Sequence, residues 1–102
     1  MEDRMNYTVK FKIVARGSGP LVERQFSKVV TSPCLPGKGD RFHFCDFNKE
    51  VGGIHWVKST NTRDTWTPIV WLHGEWFEDH DCYEKTEAFT QQLLDAGWHQ
   101  SE

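Results

Sequence analysis

Four of the five tryptophans of this chain fall between positions 56 and 76: Trp56, Trp66, Trp71 and Trp76. They occupy the segment Val51–Phe77, which reads as two strands joined by the polar turn Asn61–Asp64. A hairpin so loaded with aromatics has two apolar faces. One can serve a core, and the other needs a helix, a barrel closure, a ligand or a partner. With Asn61–Asp64 as a four-residue loop, Thr60 pairs with Thr65, Trp56 with Ile69 and Ile54 with Trp71. Directly opposed residues share a face. One face then carries Ile54, Trp56, Ile69 and Trp71, and the other His55, Val57, Trp66, Val70, Leu72 and Trp76. Pro68 lacks an amide donor, so the strand there is an edge or its nitrogen points away from the ladder. Gly52-Gly53 at the start of the hairpin signals a bulge or bend.

The rest of the chain is punctuated for short antiparallel strands. Met1–Asn6 reads as a flexible tail, with residues 7–102 as a single globular domain. Tyr7–Arg16 alternates Tyr7, Val9, Phe11, Ile13 and Ala15 against Thr8, Lys10, Lys12, Val14 and Arg16, a half-buried strand with a basic outer face. The turn Gly17-Ser18-Gly19-Pro20, with glycine supplying positive φ, leads into a weaker strand over Leu21–Val30. There Arg24 and Lys28 fall in phase with the apolar Val22, Phe26 and Val30, which suggests a bulge. Thr31–Asp40 is a loop ending in the tight turn Gly37-Lys38-Gly39-Asp40. Arg41–Phe47 is a third strand that ends or bulges near Asp46.

The chain closes with a helix over about residues 82–96. Asp81 and Glu84 fit a capping box, and Cys82, Thr86, Phe89, Leu93 and Ala96 form an inward stripe at helical spacing. Gly97 fits the left-handed position past the helix end, with Trp98 folding back on Leu93. The expected fold is α+β, with five antiparallel strands forming a curled sheet or small barrel and one C-terminal helix packed on it. Pro36-Gly37-Lys38-Gly39-Asp40 leading into a strand and then a tryptophan-rich hairpin resembles SH3-like small barrels over roughly residues 7–77. That likeness implies a fold and no activity.

Chemistry is harder to find. His43-x-Cys45 and His80-x-Cys82 have the look of metal ligands, but they lack the paired-cysteine knuckles of structural zinc sites, so no metal is expected. Cys45 with His43 or His80 and Asp46 makes no framed nucleophile. Glu75, Glu78 and Asp79 are explained by the positive end of the helix rather than by acid–base work. No nucleotide loop is present and no cofactor is expected. The reading is therefore of a chain that is not an enzyme.

Formal net charge is −3, divided between +3 over residues 1–48 and −6 over residues 49–102. Duplex nucleic acid wants a concentrated basic face, so it is not an expected partner. Single strands would suit exposed aromatics beside Lys10, Lys12 and Arg16, but aromatics and basic strand lie in different parts of the chain. No apolar run approaches the roughly 18 residues of a membrane span. Met1–Asn6 has no apolar run of a signal peptide. With an odd count of three cysteines, free thiols and a cytoplasmic location are expected. The function expected is a non-catalytic binding module, of the kind a bacterial or phage accessory protein provides, that takes a protein partner or a second copy. Its site would be His55, Trp66, Val70, Leu72, His73 and Trp76. The alternative is a small apolar or cationic molecule held on tryptophan faces.

Overall fold

The computed structural model describes residues 4–44, 47–58 and 66–101. In chain order these form β1 (Met5–Ala15), β2 (Val22–Ser32), β3 (Arg41–Phe44), β4 (Phe47–Lys58), β5 (Trp66–Leu72), β6 (Glu75–Phe77), α1 (Cys82–Asp95) and β7 (His99–Ser101). The strands make one seven-stranded sheet in the order β3-β4-β5-β1-β2-β7, with β6 also paired to β1. The class is α+β with a single C-terminal helix. Three expectations are corrected: the described residues form seven strands rather than five, the sheet is open with β3 and β7 at its edges rather than closed as a small barrel, and the pairing is mixed rather than wholly antiparallel.

The mixed pairing follows from strand direction. β1 and β2 form an antiparallel hairpin, as do β3 and β4, and β4 and β5. The chain enters β5 on the side of β1 away from β2, running the same way as β1. Thr8, Val9 and Lys10 pair in parallel with Ile69, Val70 and Trp71. Ile13, Val14 and Ala15 pair in parallel with Glu75, Trp76 and Phe77. The expected single strand over Trp66–Phe77 is thus two, broken at His73-Gly74. The pairing offset changes by one residue across the break, which reverses the faces. Leu72 points into the core, and four positions on Trp76 points out. Gly74 sits at this break because a Cβ there would lie 2.7 Å from the carbonyl oxygen of Lys12.

The β4–β5 register also differs by one residue from the expected one. Ile54 pairs with Val70, His55 with Ile69 and Trp56 with Pro68. The loop expected at Asn61–Asp64, and the pair Thr60–Thr65, lie outside the described residues. The observed register has a clear cause: it puts Ile54 beside the buried Val70 and leaves His55 on the outer face, whereas the expected one would set His55 against the core. The irregularity expected at Gly52-Gly53 is present, as a register shift between Val51 and Gly53. β5 is interior, but its pairing to β1 begins at Ile69, one residue past Pro68.

β1 alternates as expected and starts at Met5, so Met5 and Asn6 belong to the sheet rather than to a tail. Its inner residues Val9, Phe11, Ile13 and Ala15 are fully buried. Phe11 is the hub: its ring lies 5.8 Å from Phe26, 6.1 Å from Phe89 and 5.2 Å from Trp98. β2 pairs with β1 in unbroken register from Met5–Ser32 to Ala15–Val22, so it carries no bulge. Arg24 and Lys28 point inward with Phe26 because the helix offers them polar partners. Arg24 donates to Thr90 Oγ1 at 3.1 Å and pairs with Glu87. Lys28 Nζ donates to the Ala96 carbonyl at 3.0 Å, satisfying a group at the helix C-terminus where positive charge is favoured.

α1 buries Cys82, Thr86, Phe89, Thr90 and Leu93. It ends as expected. Gly97 has φ 91°, the Trp98 amide donates to the Leu93 carbonyl at 2.9 Å and the Gly97 amide to that of Leu94 at 3.1 Å, which is the Schellman arrangement. The capping box is not made. Asp81 makes no side-chain cap bond; it and Asp79 face Lys85, at 3.4 Å and 2.7 Å. The hydrogen bond and charge of Lys85 hold the Asp79 carboxyl below its ordinary pKa. Gly17 and Gly19 do not have positive φ. A Cβ on Gly17 would sit 2.9 Å from the Cys82 sulfur, and one on Gly19 3.0 Å from the Tyr83 hydroxyl. These glycines admit the start of the helix, where Tyr83 donates to the Pro20 carbonyl at 2.7 Å.

Candidate functional site

α1 packs on β1, β6 and β7, so among the described residues one face of the sheet has no helix over it. Alternation and register assign that face: Lys10, Lys12 and Val14 from β1, Glu23 and Gln25 from β2, Ile69 and Trp71 from β5, His55 and Val57 from β4, and Trp76 from β6, joined by Arg16, one residue past β1, whose amide donates to the Phe77 carbonyl at 2.9 Å. The parallel docking of β5 and β6 brings the basic face of β1 directly beside two tryptophans. Lys10 Nζ lies 5.9 Å from the Trp71 ring centre and the Arg16 guanidinium 5.3 Å from that of Trp76, both within cation–π range. The separation of aromatics and basic residues expected from the sequence is thereby corrected. Between the tryptophans runs a groove of about 510 Å³. Its walls include Lys12, Val14, Arg16, Glu23, Trp71 and Trp76, and Lys12 pairs with Glu23 at 3.1 Å.

A second aromatic feature lies at the outer end of the β4–β5 hairpin. Trp56 is 50 % exposed, Val57 48 % and Trp66 57 %. Lys58 pairs with Trp66 and Trp56 with Pro68, so Trp56 and Trp66 lie on the face that, further along β5, carries Val70 and Leu72 into the core. They extend past the region α1 covers.

The six residues expected to form one site are divided by this geometry. Val70 and Leu72 are buried in the core cluster; Val70 offers no accessible surface, and Leu72 is 5 % exposed at the groove. Trp66 is exposed on the helix side of the sheet and Trp76, 56 % exposed, on the other. His55 is exposed on the outer face, its ring 6.4 Å from Trp71. His73 is exposed at the break between β5 and β6, with Nε2 3.2 Å from Glu50 and its amide donating to the Glu50 carbonyl at 2.9 Å. Lys10, Lys12, Arg16, Trp56 and Trp71 were not among the expected site residues. The basic alternation of Tyr7–Arg16 was the available signal, but nothing local says which strand lies beside it.

The other chemical candidates have structural employment. Glu75 pairs with Lys49, whose pKa burial lowers. Asp79 pairs with Lys85, and Cys82 is fully buried in the helix stripe. Cys34 and Cys82 are free thiols; Cys45 and Asp46 lie outside the described residues. Among the described residues no three His, Cys, Asp or Glu side chains converge as a metal site, and no helix is long and apolar enough to cross a membrane. Comparison with known proteins finds no matching family model, no matching curated protein and no matching solved structure.

Proposed function

We propose that this chain is a non-catalytic binding module that engages a protein surface, either another chain or a second copy of itself, through the outer end of the β4–β5 hairpin. The observation that carries this reading is the joint exposure of Trp56 and Trp66 on the helix side of the sheet, beyond the packing limit of the helix. Covering the exposed half of each tryptophan would remove on the order of 100 Å² of mainly apolar surface, about 2 kcal/mol per ring. Tryptophan is also the residue most enriched at interface hot spots. Solvated clusters of this kind are uncommon on monomers unless something covers them.

The test is association measured by sedimentation velocity over a wide concentration range, alone and with the partner that co-purifies. The double variant Trp56→Ala, Trp66→Ala should weaken self-association or partner binding by about tenfold or more. Its thermal midpoint should stay near that of the parent, because neither ring belongs to the core cluster. Parent and double variant that associate equally, or a parent that stays monomeric and brings down no partner, would remove the support for this reading.

A further inference from the structure

The groove on the helix-free face is a different surface from the hairpin end, and its chemistry is more specific. We propose that it binds a small planar anion: an aromatic or heterocyclic ring carrying a carboxylate or phosphate. Its volume, about 510 Å³, lies in the range of about 300–1,000 Å³ typical of small-molecule sites. Val14, only 7 % exposed, and the two indoles of Trp71 and Trp76 make it apolar, which suits a flat ring.

Charge selects the sign of the ligand. The indole faces already have cations of this chain against them, Lys10 at Trp71 and Arg16 at Trp76. A cationic ligand would have to displace them and meet their repulsion, so the sequence-based alternative of a cationic ligand on bare tryptophan faces does not fit this groove. An anion gains instead. The groove is lined by the cations Lys12 and Arg16 and one carboxylate, Glu23. Lys12 is paired with that carboxylate, while Arg16 has no carboxylate partner among the described residues. A guanidinium stacked on a ring keeps its N–H edge free to donate, two bonds at a time, to a carboxylate or phosphate. The bound ring would lie over Val14 between Trp71 and Trp76, leaving Lys10 and Arg16 on their indoles, and the anionic group would accept from Arg16, with Lys12 as a second donor.

The experiment titrates the full chain with 2-naphthoate, read by tryptophan fluorescence and calorimetry, beside neutral 2-naphthamide and the single-stranded oligonucleotide (dT)8. Saturable binding of naphthoate, at least about tenfold tighter than naphthamide, is expected from a charge-assisted bond to Arg16. Arg16→Gln should abolish that preference. Glu23→Gln should strengthen naphthoate binding about twofold to fivefold by removing the groove's carboxylate and freeing Lys12. This gain is one that mere damage to the fold does not produce. Trp56→Ala, Trp66→Ala should leave naphthoate binding unchanged, which separates this proposal from the hairpin-end reading. Equal binding of naphthoate and naphthamide, no effect of both charge variants, or binding of the oligonucleotide alone with steep salt dependence would each overturn it.

Discussion

Phe11→Ala is expected to cost about 3–5 kcal/mol of folding free energy, the range for removing a large aromatic from a packed interior. Phe11 is fully buried and joins all the layers of the core. Its ring stacks on Phe26 at 5.8 Å with planes 28° apart, and meets Phe89 and Trp98 edge-on at 6.1 Å and 5.2 Å. These partners come from β2, α1 and the segment that follows α1. Removing the ring opens a cavity that none of them can fill alone, and it deletes these aromatic contacts in addition to buried area. A domain of this size has a total stability of about 5–15 kcal/mol, so the variant should sit near the edge of folding. Urea denaturation followed by circular dichroism will read this as a fall in midpoint with little change in slope. A loss below about 1 kcal/mol would mean that the helix and sheet do not meet at Phe11.

Gly74→Ala should cost about 2–3 kcal/mol, a large effect for one methyl group. The new Cβ would lie 2.7 Å from the Lys12 carbonyl oxygen. That neighbour is backbone in the longest-paired strand of the sheet, so it cannot rotate aside as a side chain would. Relief requires β6 to move away from β1, which weakens the pairs Ile13–Glu75, Val14–Trp76 and Ala15–Phe77. The same movement draws Trp76 away from Arg16. The variant should therefore lose stability by denaturant melt and also lose the ring-current shift of the Arg16 side chain in its NMR spectrum. Gly53→Ala is the control, since a Cβ there meets nothing within 4 Å. Equal stability of the two variants would contradict the close approach of β6 to β1.

The parts of the fold legible in the sequence are those fixed by local chemistry. The alternation of Tyr7–Arg16 and the glycine-rich turn gave the first hairpin, because residues two apart on a strand share a face whatever lies beside them. The helix was legible from its apolar stripe, and its end from Gly97, because the Schellman bonds involve only residues within one turn. Its start was less so: Asp81 had the right type for a cap, but Lys85 one turn on competes for the carboxylate. What local pattern does not carry is which strands become neighbours. The parallel docking of β5 and β6 on β1 depends on strand order, and so does the meeting of Trp71 and Trp76 with Lys10 and Arg16. One clue was present in Gly74, since glycine within a strand pattern marks close backbone approach. The polar strand His99–Ser101 has no apolar alternation to announce it. For the site, the one-residue register difference and the break at His73-Gly74 moved Val70 and Leu72 inward and set Trp66 and Trp76 on opposite faces.

The hairpin-end interface and the groove both depend on an aromatic surface that the fold leaves uncovered, and solvent relaxation enhancement of the tryptophan ring protons tests that exposure most directly. A soluble, neutral gadolinium chelate is titrated into the assigned protein at low concentration, where association is minimal. The ring protons of Trp56, Trp66 and Trp76, each about half exposed, should relax fast. Those of Trp71 should be intermediate, and those of Trp98, 4 % exposed, should be protected. Protection of Trp56, Trp66 and Trp76 to the level of Trp98 in a monomeric chain would make the tryptophan cluster core, and would contradict both the hairpin-end interface and the groove.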